Sequence, residues 1–203
     1  MDVFSKTKAE TLAPHRPMEQ AIDLEPGLMI PYEWIYTLSE DKFRNLKTFI
    51  ETNLANSFIQ RSSSSAAAPE LFGKKEAGSQ RVCVDYRALN SVTVKDRYPL
   101  PLIAEMFNRM RGARIFTKMD LWNAYHLIRI KEGDENNSAL RTRYGQFEYK
   151  VLPFSSTNRA ATSWPTLTTV NGLILTTLPY GTLTTYWSIR PMRRDTMITY
   201  KKF

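Results

Sequence analysis

The sequence predicts an α+β fold, and three observations carry that prediction. A helical apolar period runs through residues 38–56. A second one covers residues 102–111. Around them lie short apolar runs bounded by glycine and polar turn residues, which is how strands and hairpins read.

Composition sets the frame for these elements. The 203 residues are 42% hydrophobic and 24% charged, enough apolar material for a core. Twenty-eight basic residues outnumber 20 acidic ones, for a net charge of +8. Such a balance favours polyanionic partners, nucleic acid above all. No apolar run reaches the ~18 residues of a membrane span. The opening Met1-Asp2-Val3-Phe4-Ser5-Lys6 lacks the apolar stretch of a secretory signal, so an intracellular, cytoplasmic protein is expected. Cys83 is the single cysteine, and His15 and His126 are the only histidines. That excludes a disulfide framework and a cysteine zinc site, and argues against a Cys–His triad.

Along the chain, residues 1–36 carry Pro14, Pro17, Pro26 and Pro31 and no regular period. They read either as an extended leader or as a disordered tail. In the helix at 38–56, Ser39 is placed to cap and Glu40 and Asp41 put negative charge in the first turn. Phe43, Leu46, Ile50 and Leu54 form its apolar stripe, and Asn56 is the expected stop. Arg61-Ser62-Ser63-Ser64-Ser65 reads as a polar loop. Strands at 71–75 and 80–86 flank the turn Glu76-Ala77-Gly78-Ser79, which predicts a hairpin. Val82-Cys83-Val84 is an apolar β run, so Cys83 reads as a core residue.

Tyr98-Pro99-Leu100-Pro101 punctuates before the helix at 102–111, whose apolar face is Ile103, Met106, Phe107 and Met110, with Gly112 as its stop. A strand at 114–120 ends in Asp120, and a short turn passes through Trp122 and Tyr125. Strands are expected at 127–130, 139–143 and 147–151, the last two joined at Tyr144-Gly145. From Ser163 the character changes. The last 41 residues hold ten threonines, five basic residues and one acid, Asp195, with no sustained apolar period.

Three constellations could carry chemistry. Asp120, at a strand end beside a turn, is placed either to hold a divalent metal or to sit solvated in a loop. Lys74, Lys75 and Arg81 gather three cations around one turn, which suits a phosphate or a nucleic-acid backbone; a charged hairpin tip would look the same. Arg141-Thr142-Arg143-Tyr144 could hold a backbone and stack a base, or simply be a charged strand edge.

Several blocks, in order, resemble the reverse transcriptase of gypsy-type LTR retrotransposons. They are Pro14-His15-Arg16-Pro17 with Ala21-Ile22-Asp23-Leu24; Leu71-Phe72-Gly73-Lys74-Lys75 with Gly78-Ser79-Gln80-Arg81; and Val82-Cys83-Val84-Asp85-Tyr86-Arg87-Ala88-Leu89-Asn90. Arg97-Tyr98-Pro99-Leu100-Pro101, Ile115-Phe116-Thr117-Lys118-Met119-Asp120-Leu121, Phe147-Glu148-Tyr149 and Leu152-Pro153-Phe154 continue the series. The resemblance covers roughly residues 11–162. It implies the fingers and part of the palm of a right-handed polymerase, a partial fold with an extended leader (1–36), a fingers and palm region (37–162) and an irregular tail (163–203).

The resemblance also implies a chemistry: nucleotidyl transfer with two Mg²⁺ (or Mn²⁺) ions, acting on dNTP and an RNA or DNA primer–template. Asp120 matches the first of three metal-holding aspartates, with the Leu121 carbonyl as a further metal ligand. Lys74, Lys75 and Arg81 match the cations on the incoming triphosphate. Tyr125 matches the aromatic gate that rejects a ribose 2′-hydroxyl, and Phe154 lines the nucleotide pocket. Asp85, Tyr86 and Arg87 lie where the fingers meet the template.

The resemblance breaks after Thr157-Asn158-Arg159-Ala160-Ala161-Thr162, a variant of the family's Thr-Asn-Ala-Pro-Ala-Thr, and the Ser155-Ser156 pair before it already departs from the pattern. The family's other two metal aspartates form a Tyr-x-Asp-Asp hairpin, and this chain contains no Asp-Asp pair. Each Thr codon begins AC, so read one base out of phase it takes the form xAC, which can encode Tyr or Asp. Thr182-Leu183-Thr184-Thr185 thereby permits Tyr-Leu-Asp-Asp at the spacing the family shows. A one-base frameshift near Thr162–Ser163 is one explanation; a divergent tail is the other. On either, the chain is expected to be a truncated, inactive polymerase segment. It would then be either a nucleic-acid-binding relic or unfolded.

Overall fold

Leu46 and Ile50 seat the first helix on a sheet. In the computed structural model, which describes residues 10–74, 80–99, 104, 108, 115–119, 124–163, 184–187 and 200–202, this helix, α1, spans Glu40–Ala55. Leu46 and Ile50 are buried, and Leu54 and Phe49 pack against them. Glu40 and Asp41 occupy its first turn, but Ser39 makes no side-chain cap. The helix stops where expected, with Asn56 as its C-cap; Asn56 is itself right-handed, and the left-handed residue is Ser57 (φ 59°).

Five strands form the main sheet, in the order β1-β6-β5-β2-β3. They are β1 (Ile59–Arg61), β2 (Ala68–Lys74), β3 (Gln80–Val84), β5 (Leu140–Thr142) and β6 (Gly145–Tyr149). The expected hairpin is present: β2 and β3 pair antiparallel from Glu70↔Val84 to Lys74↔Gln80. So is the turn at Tyr144-Gly145, where Gly145 takes φ 126° and Thr142 pairs with it. β2 runs parallel to β5 for only two pairs, Ala68↔Leu140 and Pro69↔Arg141. Pro69 has no N–H to give, so the ladder cannot continue from it. A second, three-stranded sheet has the order β7-β4-β8, from β4 (Ile115–Met119), β7 (Thr184–Trp187) and β8 (Tyr200–Lys202).

The structure departs from the sequence expectations in four places. β1 and the six-residue helix α2 (Arg87–Val92) were not foreseen. The strand expected at 127–130 is instead a 3₁₀ turn, Ala124–Leu127, followed by isolated bridges at Arg129 and Ile130. Ile128, Arg129 and Ile130 are all buried, and their backbone bonds to residues 150–152 make only an isolated bridge. The leader is packed: Gln20 bridges Ile130, Leu24 bridges Thr93, and Tyr32 bridges Ala67. Ala13, Gln20 and Ile22 are buried, and the Ile22 N–H donates to Asp134 Oδ2 at 2.9 Å. Of the helix expected at 102–111, most residues, Ile103, Met106, Phe107 and Met110 among them, lie outside the described residues. No helix among the described residues is long and apolar enough to cross a membrane.

The core gathers Ile22, Leu46, Phe58, Val84, Tyr86, Ile130, Phe147 and Val151 with their neighbours. Two of its members are polar for reasons the packing makes clear. Tyr86 is 1% exposed and donates its hydroxyl to the Ser138 carbonyl at 2.5 Å. Glu70 is equally covered, but neither carboxylate oxygen has a partner among the described residues. Strand alternation explains its position: Ala68 and Phe72, two residues to either side, face the core. Burial therefore pushes the Glu70 carboxyl above its ordinary value of 4.5.

A carboxyl whose affinity for protons rises on folding contributes stability in full below its unfolded pKa and loses it as pH rises through the folded value. Glu70→Gln is expected to melt at a higher temperature than the unmodified chain at pH 8, with the two converging near pH 4. Melts across that range check it, and an unchanged difference at both ends would refute a charged Glu70 as the cause.

Candidate functional site

Arg81 stands on β3, in register with Gly73 of β2. Core residues Val82 and Val84 point to one face, so Arg81 and Cys83 point to the other. There the Arg81 guanidinium carbon lies 4.9 Å from the centre of the Phe154 ring. Tyr125, on the 3₁₀ turn, meets Phe154 edge to face at 6.4 Å and 83°. Three of the residues assigned to nucleotide binding from the sequence are thus brought together.

A fourth residue joins them. Arg159 places its guanidinium carbon 4.4 Å from the Phe154 centroid and 4.6 Å from that of Tyr125, and it donates to the Phe154 carbonyl. Sequence reasoning did not assign it a role. Its signal was present, since a cation stands where the resembling pattern has alanine. Neither Arg81 nor Arg159 has a carboxylate within ion-pair distance among the described residues.

The loop that carries Phe154 and Arg159 is tied down by asparagines. The Asn90 amide donates to the Ser155 carbonyl at 2.9 Å and accepts from the Thr157 N–H at 2.7 Å. Asn158 adopts a left-handed backbone (φ 61°), which asparagine tolerates well. Its side chain donates to the Val94 carbonyl at 2.7 Å and accepts from the Asp96 N–H at 2.9 Å. Ser155 donates its hydroxyl to the Val84 carbonyl. α2 and β3 therefore hold both flanks of the loop.

The other assigned residues fall differently. Lys74 ends β2, in register with Gln80. Its side chain, together with Lys75, Asp120 and Leu121, lies outside the described residues. Asp85, Tyr86 and Arg87 do not form one template surface. Tyr86 is a core residue, closed off by the packing around it. Asp85 is 3% exposed and is held by Arg87, through Nε–Oδ1 at 2.8 Å and Nη2–Oδ2 at 2.6 Å, with the Tyr36 hydroxyl at 3.1 Å. Those hydrogen bonds hold its carboxyl below the ordinary value, with the Arg87 contact first among them. Only Arg87 reaches solvent, its side chain 82% exposed. Arg141 and Arg143 also rest on rings, each 4.4 Å from Tyr32 and Phe43 respectively.

His126 follows Tyr125 and turns inward, 4.6 Å from the Phe58 ring. Burial alone pushes its imidazole down from 6.5 to about 4, so it is packed neutral. Among the described residues no three His, Cys, Asp or Glu side chains come together as a metal set.

Two expectations follow. Asn90→Ala removes both loop contacts and leaves a buried-side carbonyl and N–H unmet, at a cost of about 1–3 kcal/mol by denaturant titration. Its Phe154 loop should become susceptible to proteolysis before the rest of the chain. For His126, the folded state binds a proton less readily than the unfolded one. Its contribution is therefore present above pH 6.5 and lost as pH falls through about 4. His126→Gln should flatten the melting temperature across that window, relieving a loss of up to about 3 kcal/mol.

Residues 73–168 match the reverse transcriptase (RNA-dependent DNA polymerase) family. The transposon Tf2-3 and Tf2-4 polyproteins of Schizosaccharomyces pombe (strain 972 / ATCC 24843) are each 36% identical to this sequence over 155 residues. That stretch is 75% of the chain and 12% of each polyprotein, so the chain spans a small part of these relatives. Among solved structures, the foamy viral protease-reverse transcriptase bound to double-stranded DNA superposes with a TM-score of 0.69 at 16% identity. The match covers 79% of this chain and 28% of that one. The same viral protein bound to an RNA/DNA hybrid gives 0.68 at 15% identity, over 83% and 24% of the two chains.

Proposed function

With residues 73–168 belonging to the reverse transcriptase family, on a fold shared with reverse transcriptases, we propose that this chain is the nucleotide- and template-binding part of a polymerase from a retrotransposon polyprotein of gypsy type. The observation that carries the reading is the meeting of Arg81, Tyr125 and Phe154 on one solvent-facing side of the β2–β3 hairpin. A guanidinium beside two rings is what a nucleotide needs: a cation for phosphate, an aromatic face for the sugar and base. The net charge of +8 supports a phosphate backbone as the second ligand.

We infer further that the chain as written binds without polymerising. When bound, a pair of divalent cations would activate the primer hydroxyl and stabilise the leaving pyrophosphate. Asp120 is the acid that the resemblance offers them, and no Asp-Asp pair accompanies it in the sequence. What this chain's own residues do is binding: Arg81 neutralises phosphate, Tyr125 sets the floor under the sugar, Phe154 closes the side, and Arg87 offers the fingers' exposed cation to a template.

The test is a pair of assays on the full chain. Fluorescence anisotropy with a labelled RNA–DNA primer–template is expected to give binding that weakens steeply between 50 and 200 mM salt. Primer extension with dNTP and Mg²⁺ or Mn²⁺ is expected to yield no product. Arg81→Ala should weaken dNTP affinity by about tenfold. Extended primer would overturn the inactivity, and affinity indifferent to salt would overturn the nucleic-acid reading.

A further inference from the structure

Arg159 is the residue the fold adds to the cluster. The Tyr125 and Phe154 rings meet nearly at right angles, and the Arg159 guanidinium lies close over both, at 4.6 and 4.4 Å. On the same Phe154 ring sits Arg81, at 4.9 Å. Two guanidiniums sharing one ring place two positive charges within reach of a single phosphate chain. Among the described residues no carboxylate pairs with either.

A guanidinium stacked on an aromatic face keeps its edge free, because its five N–H donors lie in its own plane. For Arg159 one of these goes to the Phe154 carbonyl. The rest remain for an anion, and the two rings fix the plane in which they point. The anchoring of the loop by Asn90 and Asn158 fixes where Arg159 starts. This is a preorganised cation rather than a mobile one, and it is only partly exposed.

We propose that Arg159 is a second phosphate-binding residue, which with Arg81 clamps the phosphate chain of a nucleoside triphosphate across Phe154. The proposal rests on the nucleotide-binding reading of the cluster. It is particular to this chain, since the resembling pattern places alanine at the position. The same chemistry could take a phosphate of a nucleic-acid backbone, and the test separates the two.

The full chain and three variants, Arg81→Ala, Arg159→Ala and Arg159→Lys, are titrated by calorimetry with dATP, inorganic pyrophosphate, deoxyadenosine and a single-stranded oligonucleotide. Circular dichroism and a melt establish that each variant is folded. Arg159→Ala is expected to weaken dATP and pyrophosphate by about tenfold while leaving deoxyadenosine no weaker. Arg159→Lys restores charge without the planar fork and should recover only part of the loss. Unchanged or tighter dATP binding by folded Arg159→Ala overturns the proposal; tighter binding would make Arg159 a plug over the Tyr125 ring. A loss confined to the oligonucleotide also overturns it and assigns the residue to a strand's backbone. If Arg81→Ala loses dATP and Arg159→Ala does not, the clamp fails while the pocket stands. If the unmodified chain binds neither dATP nor pyrophosphate, both readings fall together.

Discussion

The meeting of the proposed nucleotide-binding residues depends on how one loop is held. Residues 153–158 carry Phe154 and lead directly into Arg159, and they have no ladder of their own. The Asn90 amide meets one carbonyl and one N–H of this loop, and the Asn158 side chain ties the loop outward, to the backbone of residues 94 and 96. A side-chain amide can do both jobs because it carries a donor and an acceptor side by side. An ionised aspartate offers no donor, and a serine offers both roles only from a single oxygen on a shorter side chain. The loop is therefore specified by chemistry at two positions, and the aromatic–guanidinium cluster inherits its geometry from them.

The folded core tolerates an unusual set of polar groups, and each is settled in a different way. Tyr86 exchanges water for one short hydrogen bond to a carbonyl. Asp85 is covered but keeps its charge because Arg87 and Tyr36 surround it. His126 gives up its charge against Phe58. Glu70 has no partner among the described residues, so the fold favours its protonated form. His126 and Glu70 bracket stability from opposite sides. The first loses its contribution as pH falls from 6.5 toward 4, the second as pH rises above 4.5. The Asp85 arrangement also bears on the proposed function, because any template that meets Arg87 meets a guanidinium already committed to a buried carboxylate.

How much of this was legible in the sequence follows from what is local. α1, the β2–β3 hairpin, β4 and the Tyr144-Gly145 turn were readable because their signals lie within a few residues: a period of three and four, a polar turn between apolar runs, a glycine free to adopt φ 126°. β1 was not readable, since three residues carry no period and its place is set by pairing with β6. The leader's packing was invisible for the same reason. Gln20, Ile22 and Leu24 are fixed by residues 92–134, far along the chain. At the site, Arg81, Tyr125 and Phe154 were reachable through resemblance, and Arg159 was not, because a resemblance passes over the positions where it breaks. Tyr86 shows the converse: a matching motif placed it where the fingers meet the template, and the packing buries it in the core.

The two sheets carry different parts of the proposed site. Arg81 belongs to the five-stranded sheet, and the loop bearing Phe154 and Arg159 is tied to β3 and α2 beside it. Asp120 follows β4, which is the centre of the other sheet, and both of β4's ladder partners among the described residues, β7 and β8, come from the tail. β7 contains Thr184 and Thr185, the positions at which the out-of-phase reading permits the aspartate pair, in register with Phe116 and Thr117 of β4. A threonine can pair in a strand as well as an aspartate can, and better by propensity, yet its neutral hydroxyl cannot replace a carboxylate against divalent cations. A change of reading frame in the tail would therefore reach first the sheet built on β4, the strand that leads to the proposed metal ligand Asp120. The proposed binding cluster stands apart from those tail strands: Arg81 lies on the other sheet, and the loop bearing Phe154 is pinned by Asn90.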